Sequence, residues 1–383
     1  MNTHCLPQTT GLRWSASAAA ITSALGLALL GCAADSTGGE SGTQSAQFAW
    51  THEGSETAAP HPFADDEAWI AYQTDMTGAE GALALVSQGP PASVAASEGE
   101  GPPWSGHRIA FTRSHTGDDS VLWTTRPDGS HQRRVFKGPV YFPAWVPNHR
   151  RLVFDFPDDE GGEQIATFRA NGSHFRQLTD LPGISESPDH APGGRRIIFG
   201  RFSPDQPSFY TSLWVMRAEG THPHALFGPD SSTFDVEPEY APDGSRIVFA
   251  RLSARSDYEK AAVFVVNADG SHPRRITPYS VGLEHPRWSP DGRRIVYNIV
   301  DSGTAKDGIY LVRANGENRH RVFRSDRVLG FKPDFSPNGK RILFGCFVVS
   351  EEQDDLCVMR ADGTQAHRIV RTPRVFENYP VWR

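Results

Sequence analysis

His285-Pro-Arg-Trp288-Ser-Pro-Asp-Gly292-Arg-Arg294-Ile-Val-Tyr-Asn298 is the stretch whose reading decides the fold. An aromatic residue and a Pro-Asp-Gly turn lead into a short run of β-branched and aromatic residues. Such a run, bounded by turn formers, predicts a strand. The pattern returns along the chain: WIAYQ at Trp69, RIAFT at Arg108, RLVFD at Arg151, RIIFG at Arg196, RIVFA at Arg246, RIVYN at Arg294 and RILFG at Arg341. The seven copies are spaced by 39, 43, 45, 50, 48 and 47 residues. Periods in the forties point to propeller blades or helical arrays, and the short β-branched runs decide for blades. Apolar residues at consecutive positions fit strands covered on both faces, as in stacked blades.

A second strand follows each copy (VLWTT, IATFR, LWVMR, VFVVN, IYLVR, LCVMR, with LALVS as the first and poorer one), and most close on a tight turn such as Ala268-Asp269-Gly270 or Ala314-Asn315-Gly316. Asp-Gly and Asn-Gly supply the positive φ that a short hairpin needs. A third short run leaves the turn, as in RQLT or HRVF. A linking strand then carries a Pro at 143, 188, 238, 286 or 333. Proline has no N–H to donate, so these strands belong on a sheet edge facing a central channel.

These repeats resemble the WD40-like (PD40-type) β-propeller repeats of the TolB family, whose hallmark is W-S-P-D-G before an apolar strand. Trp288–Gly292 matches in full, Ala241-Pro-Asp-Gly244 and Ser336-Pro-Asn-Gly339 closely. The resemblance spans roughly Asp65 to Arg383 and implies an all-β propeller of four-stranded antiparallel blades. The chain ends Tyr379-Pro-Val-Trp-Arg383, a linking strand with no blade after it. The expectation is that this strand closes the ring on the copy near Asp65–Gln73. That count gives seven blades, with six the alternative if the first copy is not a blade.

The N-terminus reads as an address. An apolar run, Ala18–Leu30, is too short to span a bilayer and ends Leu29-Leu30-Gly31-Cys32. This resembles a signal peptide with a lipobox, so residues 1–32 would be removed up to Cys32, which would carry lipid. Ala33 after the cysteine favours, by the same resemblance, the outer membrane over the inner. Residues 33–62 are rich in Gly, Ser, Thr, Ala and Glu and read as a flexible tether. Residues 63–383 are then the propeller. The net charge of −7, with no basic stripe or tail, argues against nucleic-acid binding. A monomer is expected.

Two loop sets emerge. The uniform Asp-Gly turns mark one face, read as structural, and the Arg before each turn (126, 169, 217, 313, 360) as part of the blade. The other face collects varied, acidic loops: 115–120, 158–163, 203–210, 253–260, 301–308 and 350–355. Near the channel mouth it adds Glu186, Asp235, Glu237, Glu284, His285, Lys332, Glu377 and Asn378. Variable loops on a rigid scaffold are where binding usually lives. This face is the candidate site for an envelope protein partner. Clustered carboxylates would also suit Ca2+, though no fixed-spacing loop motif is present. The His residues at 131, 174, 222 and 272 recur after the turns and fall in different blades, which argues against a shared metal. Cys346 and Cys357 lie at similar distances from one hairpin tip and could pair in an exported compartment.

No G-x-S-x-G, H-E-x-x-H or G-x-x-x-x-G-K motif is present. No N-terminal α/β domain of the TolB kind is legible either, so TolB's part in the Tol–Pal system is not implied. The sequence therefore points to a binding scaffold without catalytic residues. The alternative is a propeller lyase or glycan-active enzyme with a metal in its channel, which requires the mouth carboxylates and His285 to converge.

Overall fold

The computed structural model describes residues 108–382 except 116–119, 148–149, 204–210, 228–232, 254–259 and 302–303. The expected leader (1–32), the expected tether (33–62) and the copy near Asp65–Gln73 lie outside the described residues. Among the described residues there is no helix. The chain is a propeller of four-stranded antiparallel sheets.

Each unit begins at the channel with a linking strand and steps outward. Four sheets are separate blades. The first combines Ile109–Ser114, Val121–Thr125 and Arg133–Phe136 with the last strand of the chain, Phe376–Trp382. The third begins at Thr233–Tyr240, the fourth at Leu283–Trp288 and the fifth at Val328–Phe335. The second sheet has eight strands and consists of two four-stranded halves. One starts at Tyr141–Trp145 and the other at Ile184–His190. A single parallel pairing, Glu163 with Ile184, joins them.

The inner strands touch in sequence around the axis, and Phe376–Trp382 lies against Tyr141–Trp145, which closes the circle. The last strand pairs Trp382 with Ile109 and Phe376 with Ser114. This corrects the expected closure on the Asp65 segment, and with it the count of seven blades; nor are there six separate sheets, since among the described residues four blades stand alone and two four-stranded halves are joined in one sheet. The hydrogen-bonding edge of Phe376–Trp382 is already taken by Ile109–Ser114, so no earlier strand can use it. Closure still removes the open edges that invite aggregation.

The consecutive apolar residues of the repeat explain the stacking. Adjacent residues on a strand point to opposite faces of its sheet. Ile109 packs with Leu343 and Val358 of the fifth sheet, while Ala110 packs with Leu152 and Phe168 of the second. Leu152 and Val153, Ile197 and Ile198, Ile247 and Val248, Ile295 and Val296, and Ile342 and Leu343 divide in the same way between neighbouring clusters. Every one of these side chains is fully buried. Each contributes about 1.5–3 kcal/mol for the larger side chains, and no single sheet could cover both of its faces.

The turn glycines fit one blade against the last. Gly129 has φ 79°, and a β-carbon there would come within 1.7 Å of the Ile369 carbonyl oxygen of the fifth sheet. A disulfide joins Cys346 to Cys357 across two strands of the fifth sheet. Its cysteines are offset in register, since Cys346 faces Asp355 and Cys357 faces Phe344.

Gly129→Ala should therefore destabilise the protein by at least about 2 kcal/mol, from left-handed strain plus the backbone clash. Gly193→Ala is the control, because nothing lies within 4 Å of its β-carbon. Its effect should stay within about 0.5 kcal/mol. Denaturant midpoints of the two variants decide the matter.

Candidate functional site

The linking strands place a ring of side chains on the channel axis. In each of them the residue before the recurring proline has a left-handed backbone: Phe142, Ser187, Glu237, His285, Lys332 and Tyr379, with φ between 42° and 56°. The strand bulges there, and its register slips against its neighbour. A left-handed residue other than glycine costs about 1–2 kcal/mol. Residues held in such strained conformations cluster where they are functionally needed.

The bulge turns these side chains toward one another. Phe142 stacks on His285 at 5.9 Å between ring centroids and meets Tyr379 edge-on at 4.5 Å. Lys332 Nζ sits 3.5 Å above the Tyr379 ring and donates to Asn378 Oδ1 at 2.8 Å. His285 Nε2 lies 3.0 Å from Glu237 Oε1, and its Nδ1 lies 3.7 Å from Glu284 Oε2. Phe142 and His285 come from opposite units, so their stacking spans the axis, and the other contacts join neighbouring side chains around it to floor the channel. A cavity of ≈ 20 Å³ remains between Phe142, His285, Arg287, Lys332 and Tyr379, room for about one water molecule.

The same strands expose backbone N–H groups on their channel edge, and the preceding blade answers them. Ser187 N–H donates to Asp155 Oδ1 (2.9 Å), His285 N–H to Glu237 Oε2 (2.7 Å) and Lys332 N–H to Asn298 Oδ1 (3.0 Å). Beyond the proline a second tier repeats the device, with the acceptor one residue after it and the donor two residues after it. Tyr240 N–H donates to Asp189, Trp288 N–H to Glu239 and Trp382 N–H to Asp334. The last of these crosses the point of closure.

Seven of the eight residues expected at the mouth are buried: Glu186, Asp235, Glu237, His285, Lys332, Glu377 and Asn378. Asp235 is bound by Arg251 through two nitrogens at 2.6 and 2.8 Å, and Glu377 by Arg113 at 2.7 Å. Glu186 lies opposite Gly200 on the neighbouring strand. Only the Glu284 side chain keeps substantial exposure, 40%. The expected carboxylate funnel is thus largely interior, because these residues sit where one blade stacks on the next. Of the acidic loops, Asp159 and Glu160 are exposed, as are Glu351 and Glu352. Residues 116–119, 204–210, 254–259 and 302–303 of the others lie outside the described residues. Among the described residues, no three His, Cys, Asp or Glu side chains are grouped to hold a metal ion. The recurrent His131, His174, His222 and His272 occupy left-handed positions just after the turns of different units.

Sequence reading passed over Phe142, Ser187, Tyr379, Asp189, Glu239, Arg287 and Asp334. Their signal was present as the residues flanking each linking-strand proline. What those residues face could not be read from it.

Burial governs the titration of this interior. It pushes Asp155 and Glu377 up to about 7, the latter in spite of Arg113, and Asp189 and Asp334 up to about 6 in spite of Arg287. Glu163 is held well above the usual carboxylate range by burial and by the charges of Asp155 and Glu186. Burial lowers Lys332 to about 8, with Glu284, Asp354 and Glu237 opposing. Burial also lowers His190 to about 4.

A carboxyl raised by folding stabilises the native state below its unfolded pKa, and this contribution is lost as pH rises through the folded value. The relevant interval for Asp155 and Glu377 runs from the usual carboxylate range to about 7 and just beyond. The effect of His190 falls at lower pH, and that of Lys332 begins near the upper end. The melting temperature should therefore be higher near pH 6.5 than near pH 8. Asp155→Asn, which keeps an acceptor for Ser187 N–H, should flatten that dependence. Thermal melts across the interval test both statements, and an unchanged slope in the variant would refute the assignment.

Residues 209–382 match the PD40 family model, the TolB beta propeller domain. No curated protein matches the sequence. TolB from Acinetobacter baumannii is similar in fold, with a TM-score of 0.58 and 18% identity, over 72% of this chain and 66% of that one. This chain therefore spans just under two thirds of that TolB. Hydrazine synthase from Kuenenia stuttgartiensis matches with a TM-score of 0.59 at 18% identity, over 78% of this chain and 50% of the other. A chain of the Nidogen/Laminin complex matches at 0.57 with 10% identity, over 72% and 98%. At these identities the likeness is one of fold.

Proposed function

We propose that this TolB-like β-propeller is a binding scaffold of the cell envelope. Its propeller, closed by the pairing of Ile109–Ser114 with Phe376–Trp382, would hold a protein partner on the face opposite the Asp-Gly turns. Lipid on Cys32, with the tether 33–62, would hold it to the outer membrane. The observation that carries this reading is the closed floor of the channel. Phe142, His285, Lys332 and Tyr379 meet across the axis, so the ring offers a rigid platform. Strained left-handed residues ring that floor, and exposed acidic groups stand on the same side at Asp159, Glu160 and Glu284. A positively charged partner surface complements them, and such complementarity raises association rate and selectivity more than affinity. A related ring in the Nidogen/Laminin complex belongs to a protein–protein assembly, the class of partner carried over here. No catalytic step is part of this reading.

A photo-crosslinking residue placed at Glu160 or Glu284 in growing cells should yield one discrete protein adduct. The same residue at Gln365, exposed on the turn side, should yield none. Equal adducts from both faces would overturn the reading. Cys32→Ser should move the protein from the membrane pellet to the soluble fraction.

A further inference from the structure

The turn face carries a charge pattern that strand pairing does not favour. In register, Arg151 faces Arg169, Arg196 faces Arg217, Arg294 faces Arg313 and Arg341 faces Arg360. Like charges directly opposite on neighbouring strands destabilise a sheet. The arrangement recurs at the same end of successive units, where folding alone would favour a neutral or opposite partner. In the third sheet the equivalent Arg246 faces Asn267.

Between the third and fourth sheets these ends border an open surface groove of ≈ 610 Å³, lined by Arg246, Arg274, Asp291, Arg293, Arg294 and Arg313 together with turn backbone. That volume lies within the range of small-ligand sites. Two guanidinium groups are fixed by neutral acceptors. Arg246 donates to the Gly292 carbonyl (3.3 Å) and lies over the Trp288 ring. Arg274 donates to the carbonyls of Asn315 (2.9 Å) and Ala314 (2.8 Å). Carbonyls orient these groups without bringing a negative charge of their own, although the Arg246 charge is also felt by Asp243. Arg294 lies over the Phe335 ring, again a neutral partner. The single carboxylate of the lining, Asp291, accepts from Ser289 Oγ and Arg293 N–H in its own turn; the Ser289 hydrogen bond and the charges of Arg294 and Arg293 hold it below the usual carboxylate range, so one negative charge stands against five guanidinium groups. Glu317 lies 3.6 Å from Arg313, both side chains more than half exposed, and such a pair contributes little.

We propose that this groove is an anion site for a small ligand bearing two or more phosphate groups. Planar guanidinium forks match phosphate oxygens in pairs. Several forks on both walls call for several charges on a short scaffold, which a condensed phosphate supplies and a lone carboxylate does not. The site is on the face away from the proposed protein-binding loops and does not depend on that reading.

The test is calorimetric titration of the full chain with tripolyphosphate at low salt. Saturable binding to one site is expected, weakening as salt is added. The double variant Arg293→Gln/Arg313→Gln should lose roughly tenfold or more in affinity. Arg217→Gln, on the same face but outside the groove, should bind like the parent chain. Arg313→Lys, which keeps the charge and loses the fork, should bind with intermediate affinity. Absent binding, equal binding by the double variant, or citrate binding as tightly as tripolyphosphate would each overturn the proposal. So would association with phosphatidylglycerol vesicles while free tripolyphosphate does not bind.

Discussion

The structure depends on how the inner edge of each blade satisfies its backbone. A strand that borders a channel has N–H groups with no next strand to receive them. A buried donor left without a partner costs about 1–3 kcal/mol. Here the preceding blade supplies the acceptor: Asp155 for Ser187, Glu237 for His285, Asn298 for Lys332, Asp189 for Tyr240, Glu239 for Trp288 and Asp334 for Trp382. Each bond runs in the same direction around the ring. The hydrophobic clusters between sheets press the blades together without regard to angle. These directional bonds set the position of one inner strand on the next.

That constraint also accounts for the chemistry of the interior. Carboxylates placed to receive N–H groups must be taken out of water, and their proton affinity rises as a result. Glu163 is raised by burial and raised further by the charges of Asp155 and Glu186, so a proton is the natural counter-charge there. Where a cation is in reach, a largely buried arginine meets a buried carboxylate, as Arg251 does Asp235 and Arg113 Glu377. Such pairs offset a desolvation penalty and fix geometry more than they add stability. Acidic residues that look like a ligand-binding cluster in the linear chain are thus mostly part of the joints between blades.

The two faces of the ring take different burdens. The turn side is built from short hairpins whose glycines lie against the neighbouring unit, Gly129 on Ile369 being the instance at closure. Its arginines reach across to the next unit's carbonyls and rings, as Arg246 and Arg274 do. The opposite side carries the longer connections, and its central floor is formed by strained residues of differing chemistry. A scaffold that is uniform on one side and varied on the other can change what it binds without disturbing how it stacks.

Much of this was legible in the chain. Pairs such as Leu152-Val153 and Ile295-Val296 announce strands covered on both faces, because adjacent side chains must point opposite ways and both are apolar. The Asp-Gly turns and the linking-strand prolines mark which ends are hairpins and which strands are edges, since each rests on local backbone chemistry. The partner of the last strand was not legible. FENYPVW suits any exposed strand edge, and only three-dimensional pairing assigns it to Ile109–Ser114. The burial of Glu186, Asp235 and Glu377 was hidden for the same reason, as was the meeting of Phe142 with His285 from distant parts of the sequence. The linear chain shows no basic stripe, yet stacking two blades brings five arginines to one groove. Local conformation follows from a few neighbouring residues, whereas contacts across the ring depend on where every blade comes to rest.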